Sequence, residues 1–260
     1  MTNSRSTLNT TIYPESDGQP MTESDATRDY LFYAVEALRL YFKSRGSVYV
    51  SGNLFIYYEE GNPKAVISPD VFVVFGVSHR KRRSYKTWQE NNKLPSFILE
   101  ITSKSTKKQD QENKPKLYAS LGVEEYFQYD PTADYLEPQL QGARLVGGSY
   151  EALPIQHTEE QIPYIHSQIL GLDLQLRNSF KGIGIAPLPK ALRFYDAQTD
   201  RILPSQEEVL EERDDALQAL DSAEQRADSA EQRADSAEQR ADSAEQRTEA
   251  LAEKLRSLGI

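Results

Sequence analysis

No cysteine occurs in the 260 residues, which excludes a disulfide framework, a thiolate metal site and a cysteine nucleophile. Histidine is almost as scarce. His79, His157 and His166 are too few and too scattered for a zinc site, so any metal would be held by oxygens. No apolar run approaches the length that spans a bilayer, and the opening stretch MTNSRSTLNTTIYPESDGQP lacks a signal peptide's apolar segment. These absences lead to the expectation of a soluble, cytoplasmic protein. Hydrophobic residues make up 38% and the mean hydropathy is −0.65, the average expected when a compact part is joined to a very polar one.

The net charge of −10 is unevenly spread. Residues 201–260 carry sixteen acidic and eight basic side chains, whereas the first 200 carry 24 acidic and 22 basic. The globular part is thus nearly neutral, and its positive charge is clustered. One cluster is His79, Arg80, Lys81, Arg82 and Arg83 with Lys86; another is Lys104, Lys107, Lys108, Lys114 and Lys116. The acidic total does not exclude a polyanionic substrate.

Residues 1–24, rich in Ser, Thr, Asn and Pro, read as a disordered or loosely attached arm. Asp25 is placed to cap a helix in which Leu31, Val35, Leu38 and Phe42 repeat at spacings of three and four, with Gly46 as its stop. The pattern then turns to strands. Val48 to Tyr58 runs into the turn signature Glu-Glu-Gly-Asn-Pro, and Asp70 to Val77 and Ser96 to Thr102 are apolar runs. A helix from about Pro115 to Leu121 leads into the strand 125–129, and shorter strands follow around 143–146 and 150–154. Helix, strand meander, helix and strand together predict an α/β or α+β domain over 25–204 with a mostly buried central sheet.

The tail, 205–260, is of another kind. Residues 227–233, 234–240 and 241–247 are each Ala-Asp-Ser-Ala-Glu-Gln-Arg. With Ala227 at heptad position a, Ala230 is d, and the register carries outward through Val209, Ala216, Leu220 and Ala223 on one side and Leu251, Leu255 and Leu258 on the other. Sustained periodicity of this kind predicts a coiled coil. In a parallel dimer Arg233 at g meets Glu238 at e of the partner, whereas an antiparallel pair would set Arg against Arg and Glu against Glu. The expectation is a parallel homodimer; a solvated single helix is the alternative, because an alanine seam buries little area.

Two carboxylates stand out in the compact part. Asp70 adjoins the apolar run 71–74, and Glu100 sits inside Phe97-Ile98-Leu99-Glu100-Ile101. Strand alternation puts Phe97, Leu99 and Ile101 on one face and Ile98, Glu100 and Thr102 on the other. An ionised carboxylate in such a strand is costly unless it is paired or binds a cation. If the two strands are neighbours, Asp70 and Glu100 would bracket a divalent ion, and hard oxygen ligands suit Mg²⁺ better than zinc. Asp70 after Pro69 also suits a turn, and Glu100 also suits an ion pair with a nearby lysine; both readings stand at this point.

The stretches SPDVFVVFGV, RRSYKTWQENNKLPSFILEITSKSTKKQDQENKPKLYASLGVEEYFQYDP and YLEPQLQGARL resemble the Uma-two family of restriction-type endonucleases. The likeness extends to ILGLDLQLRN and LRFYDAQTDRIL, covering most of residues 30–205, and members often end in Ala/Glu/Arg heptads. The resemblance implies a PD-(D/E)XK nuclease fold, a mixed sheet flanked by helices, with Mg²⁺ (or Mn²⁺) as cofactor and DNA as substrate. Asp70 would be the first metal ligand and Glu100 the second, helped by the Ile101 carbonyl. The wider superfamily places a lysine two residues after that acid, where this chain has Thr102. The Asp110…Lys114 pair matches the family's displaced lysine, so Lys114 would take that role from the following helix, with Lys104 as a second candidate. Pro115 fits if the helix starts there.

Arg80, Lys81, Arg82 and Arg83, between the two carboxylate strands, would clamp flanking phosphates, with Lys104 beside them; a solvated loop is the competing reading. Trp88 suits the core better than base stacking. Two functions follow: a Mg²⁺-dependent DNA endonuclease assembled by its tail, or a non-catalytic nucleic-acid-binding or scaffold protein on a nuclease-like fold.

Overall fold

The structure is a computed structural model that describes residues 11–15, 24–103, 106, 112–178 and 190–257. The chain divides into two compact units, with the boundary after Gln206. Of the arm expected over 1–24, residues 1–10 and 16–23 lie outside the described residues. Residues 11–15 belong to the first unit and pack against its other residues. The Tyr13 ring packs against Tyr57 and Trp88, with centroids 5.0 and 5.1 Å apart, and Glu15 pairs with Arg83 at 2.6 Å.

Helix α1 (Asp25–Phe42) opens one residue earlier than the sequence suggested. Ser24, not Asp25, is the cap, its hydroxyl accepting the Thr27 N–H at 3.2 Å. Asp25 falls in the first turn, where its charge complements the helix dipole. The predicted stripe Leu31, Val35, Leu38 and Phe42 is buried, joined by Tyr30 and Ala34.

In chain order there follow β1 (Val48–Ser51), β2 (Ile56–Tyr57), β3 (Val66–Ile67), β4 (Val71–Phe75), β5 (Tyr85–Lys86) and β6 (Phe97–Ile101). After them come α2 (Lys114–Ser120), β7 (Glu125–Tyr129), β8 (Leu140–Val146), β9 (Ser149–Ala152), β10 (Gln156–His157) and β11 (Pro163–Ser167). The unit closes with β12 (Leu172–Arg177), β13 (Ala191–Asp196) and β14 (Arg201–Ile202). The central sheet has the order β1-β4-β6-β7-β8-β9. It is mixed, because β6 and β7 run parallel and the other pairs antiparallel. Around it lie a five-stranded antiparallel sheet, β10 to β14, and a three-stranded sheet, β3-β2-β5.

Each face of the central sheet builds its own core. Phe97, Leu99 and Ile101 of β6 and Phe127 and Tyr129 of β7 pack with α1 and the five-stranded sheet. Ile98 and Tyr126, pointing the other way, pack with Tyr118 of α2 and with Ile56 and Tyr85 of the small sheet. The fold is therefore the expected α+β mixed sheet flanked by helices and followed by a long C-terminal helix, with a second antiparallel sheet added on the α1 side.

Val48 to Tyr58, which reads as one strand, is divided between two sheets. The break falls at Gly52 and Asn53: the Asn53 N–H donates to the Pro69 carbonyl at 3.0 Å, and Asn53 has φ 45°. A Cβ on Gly52 would lie 2.2 Å from the Asp70 carbonyl oxygen, a contact no other residue tolerates. The chain crossing that splits the strand is thus the one that seats Asp70.

The second unit is formed by α3 (Gln206–Ser257) from its second residue onward; the helix has 52 residues and measures about 78 Å at 1.5 Å per residue. Val209, Leu217, Leu220 and Leu251 are exposed along it. Among the described residues no helix is long and apolar enough to cross a membrane.

Candidate active site

The antiparallel register of β4 and β6 sets Val71 opposite Leu99, which brings Asp70, one residue before β4, level with Glu100. The Ile101 N–H donates to Asp70 Oδ2 at 2.8 Å, and the Asp70 N–H makes a long contact of 3.4 Å with Glu100 Oε2. Two carboxylates that are thirty residues apart in sequence thus meet at one end of a strand pair.

Glu100 is wholly buried, and helix α2 answers its charge. Lys114 Nζ lies 2.9 Å from Glu100 Oε2, and the Tyr118 hydroxyl donates to Oε1 at 2.6 Å. Lys114 and Tyr118 are four residues apart, so both project from one face of the helix. Pro115 fits because α2 begins at Lys114, leaving the proline in the first turn where its missing N–H is not needed. The sequence reading did not single out Tyr118; its spacing of four from Lys114 was the available signal.

Burial raises the Asp70 carboxyl well above the usual carboxylate range. The neighbouring Glu100 charge adds to this, and Lys114 and the Ile101 N–H only partly offset it. Burial first, then Glu100, also raises the Tyr118 phenol, which stays protonated and keeps donating. A carboxylate whose ionisation is opposed by burial and by a second carboxylate is relieved by a cation. The donor atoms are hard oxygens, and Mg²⁺ is commonly held by one or two carboxylates while keeping several waters. The pair fits such an ion, although among the described residues no cluster of three or more acidic or histidine side chains is present.

Thr102 stands on the same face two residues beyond Glu100. It is buried, and its hydroxyl has no hydrogen-bond partner among the described residues. Lys114 reaches the neighbouring Glu100 from the following helix instead. Lys104 and Asp110 lie outside the described residues.

The basic run divides into dissimilar parts. Arg82 is structural: its side chain is 5% exposed, its Nε lies 2.9 Å from Glu90, and its guanidinium sits 4.3 Å from the Tyr49 ring centroid. It also donates to the carbonyls of Ser78 and Arg80. Arg80 reaches the same Glu90 at 2.6 Å but is mostly exposed. The two guanidinium groups hold the Glu90 carboxyl below its usual range, Arg82 contributing more. Lys81 and Arg83 are exposed, and Arg83 carries the Glu15 contact. Lys81 and Arg82 also border a cleft of about 540 Å³ with Arg39, Lys43 and His79. Trp88 is half-buried against Tyr13.

Comparison with known proteins gives two family matches. A family model described as "Uma2: Putative restriction endonuclease" matches residues 13–177. One described as "Alanine-zipper, major outer membrane lipoprotein" matches residues 194–257. No curated protein matches the chain. Among solved structures, a "putative nuclease belonging to DUF820" from Anabaena variabilis ATCC 29413 is similar at 12% identity, covering 56% of this chain and 80% of that one, with a TM-score of 0.37.

Proposed function

This chain belongs to the Uma2 family, described as "Putative restriction endonuclease", and we propose that it is a Mg²⁺-dependent endonuclease that hydrolyses DNA phosphodiester bonds. One observation carries the reading: Asp70 just before β4, Glu100 in β6 and Lys114 in α2 meet at the end of β4 and β6.

Asp70 and Glu100 would hold the cation. When bound, Mg²⁺ (or Mn²⁺) supplies Lewis-acid polarisation of the phosphodiester and a more acidic water. The chain's own groups do the remaining work. The Ile101 N–H fixes the Asp70 carboxylate, and Tyr118 fixes Glu100, so that neither must reorganise during the reaction. Lys114, held 2.9 Å from Glu100 Oε2, orients the attacking water and offsets the negative charge that grows on the phosphoryl oxygens. Water oxygen bonds to phosphorus, the bond to one ester oxygen breaks, and a proton from the water is lost to solvent as the departing oxygen gains one. Exposed Lys81, Arg80 and Arg83 serve the flanking phosphates, which makes binding salt-dependent. The heptad tail joins two copies in parallel as a homodimer, giving one site per strand of a duplex, and the protein acts in the cytoplasm.

A second reading rests on a specific observation. Both oxygens of Glu100 are already engaged by Lys114 and Tyr118, an arrangement that would also suit a binding scaffold with no chemistry. Nicking of supercoiled plasmid and cutting of single-stranded DNA, with Mg²⁺ or Mn²⁺ and with EDTA, separates the two. Metal-dependent cleavage by the wild type that is lost in Glu100→Ala is expected. Salt-sensitive DNA binding without any cleavage would replace the nuclease with the scaffold.

A further inference from the structure

Gln128 is directly opposite Glu100 in the parallel pairing of β6 and β7, about 4.8 Å away across the sheet. Its side chain lies on the same face as the carboxylate and is 7% exposed, yet its Nε2 has no hydrogen-bond partner among the described residues. A buried amide nitrogen without an acceptor is costly, and an apolar residue of similar size would fill the space without that cost. The nitrogen is closed to solvent as it stands, so it suits a partner from outside that is met when the side chain turns toward the surface.

Space for one is present. Gln128 lines a cleft of about 570 Å³ at the sheet edge, where β9 ends and β8 loses its neighbour; small-molecule sites commonly measure roughly 300–1,000 Å³. Tyr126 and Tyr150 form one side of it, with Gln141, Pro138 and Leu153 on the others. The aromatic rings continue from the carboxylate site into the cleft. Tyr118, bonded to Glu100, has its centroid 5.5 Å from that of Tyr126, and Tyr126 is 5.8 Å from Tyr150. The Tyr150 hydroxyl is already donated to the Val123 carbonyl, which leaves the ring as a wall.

We propose that this cleft is a nucleobase pocket, taking the base of a nucleotide next to the phosphate at Asp70 and Glu100. The proposal rests on the nuclease reading and extends it from phosphate to base. The chemistry matches on both counts. The half-buried Tyr150 ring, backed by the buried Tyr126, can stack on any base, and the unmet Nε2 donor requires an acceptor, which base edges present as ring nitrogens or carbonyl oxygens. Gln141 directs its Nε2 at the carbonyls of Glu137 and Pro138, 3.3 Å from each, so Gln128 supplies the free donor.

The test uses the full-length protein and labelled single strands of equal length: homopolymers of each base and one abasic strand, with EDTA present and binding read by anisotropy. Wild type is expected to hold at least one base-bearing strand about tenfold more tightly than the abasic strand. Gln128→Leu is expected to bring that ratio within about twofold while leaving abasic-strand affinity and Tm intact. Tyr150→Leu, at the half-buried sheet edge, is the second variant and carries the same expectation should Gln128→Leu not fold. Equal binding of base-bearing and abasic strands by wild type, or a ratio untouched by both variants, overturns the pocket. Cleavage with Mg²⁺, measured alongside, separates the claims. Cleavage with base-blind binding removes the pocket and leaves the nuclease; base-selective binding without cleavage does the reverse; no binding of any strand removes both.

Discussion

Lys114 and Tyr118 divide the two oxygens of Glu100 between them, at 2.9 and 2.6 Å. The carboxylate is wholly buried, while the Lys114 side chain is 20% exposed. One helical turn of α2 thus neutralises the charge that β6 buries, and the same turn fixes where an ammonium stands beside Asp70. Stability and chemistry are coupled through this contact.

Lys114→Met should separate the two effects. Removing the cation leaves a buried carboxylate with only a phenol for support, a loss of about 3 kcal/mol, the lower part of the range for breaking a buried pair because the lysine keeps some water. Urea unfolding reads that loss, and cleavage should disappear. The double variant Lys114→Met with Glu100→Gln should recover much of the stability, since the unpaired charge is gone, and none of the cleavage. A Lys114→Met protein as stable as wild type would show that the pair is not formed in solution.

Asp70 predicts an unusual pH dependence for the metal-free protein. Its folded-state pKa is raised, by burial and then by Glu100, above an unfolded value of about 3.9. Between those two values the folded state holds a proton that the unfolded state has released. This residue's contribution to stability therefore falls as pH rises through that window, and does not vary below it. Asp70→Asn, which can still accept the Ile101 N–H, should be more stable than wild type near pH 8 in EDTA, with the gap closing toward pH 4. Adding Mg²⁺ should narrow the gap at pH 8 by stabilising only the wild type. A Tm difference that is constant from pH 4 to 8 would refute the raised pKa.

What the sequence made legible was local or periodic. Glu100 stands out because alternation along Phe97 to Thr102 leaves a charge on an otherwise apolar face, and the strand pairing then explains why Asp70 belongs with it. Pro115 marked the start of α2 because its missing N–H fits only a first turn. Partners that are distant in sequence were not legible. Arg82 reads as one more charge in a basic loop, but Glu90 and the Tyr49 ring draw it inside. Nothing in the order of residues specifies that contact, because Tyr49 reaches it from another strand. Gly52 likewise reads as part of a strand until the Asp70 carbonyl is found against it. Gln128 is unremarkable in EYFQY and becomes informative only when β7 lies beside β6.

The tail offers a test that the composition makes clean, because a chain without cysteine gives no background cross-link. Alanine seams bury little area per heptad, so orientation is decided by small terms, and each exposed Glu–Arg pair is worth at most about 1 kcal/mol. Three identical heptads repeat the preference for the parallel arrangement, while Leu220 and Leu251, exposed in the single chain, resist a slip of one repeat. The Ser229, Ser236 and Ser243 hydroxyls bond back to carbonyls four residues earlier, off the a and d seam, and do not compete for it. Ala216→Cys places a thiol at a d position near one end of α3. In a parallel, in-register dimer the two thiols face each other within disulfide reach; in an antiparallel pair they lie at opposite ends. Oxidation should therefore convert Ala216→Cys to covalent dimer. Ala230→Cys, near the middle of the helix, should cross-link in either orientation and serves as the control. Removal of residues 207–260 should leave a folded monomer by sedimentation. Cross-linking at 230 without cross-linking at 216 would make the pair antiparallel, and a truncated protein that still sediments as a dimer would place the assembly surface in residues 1–206.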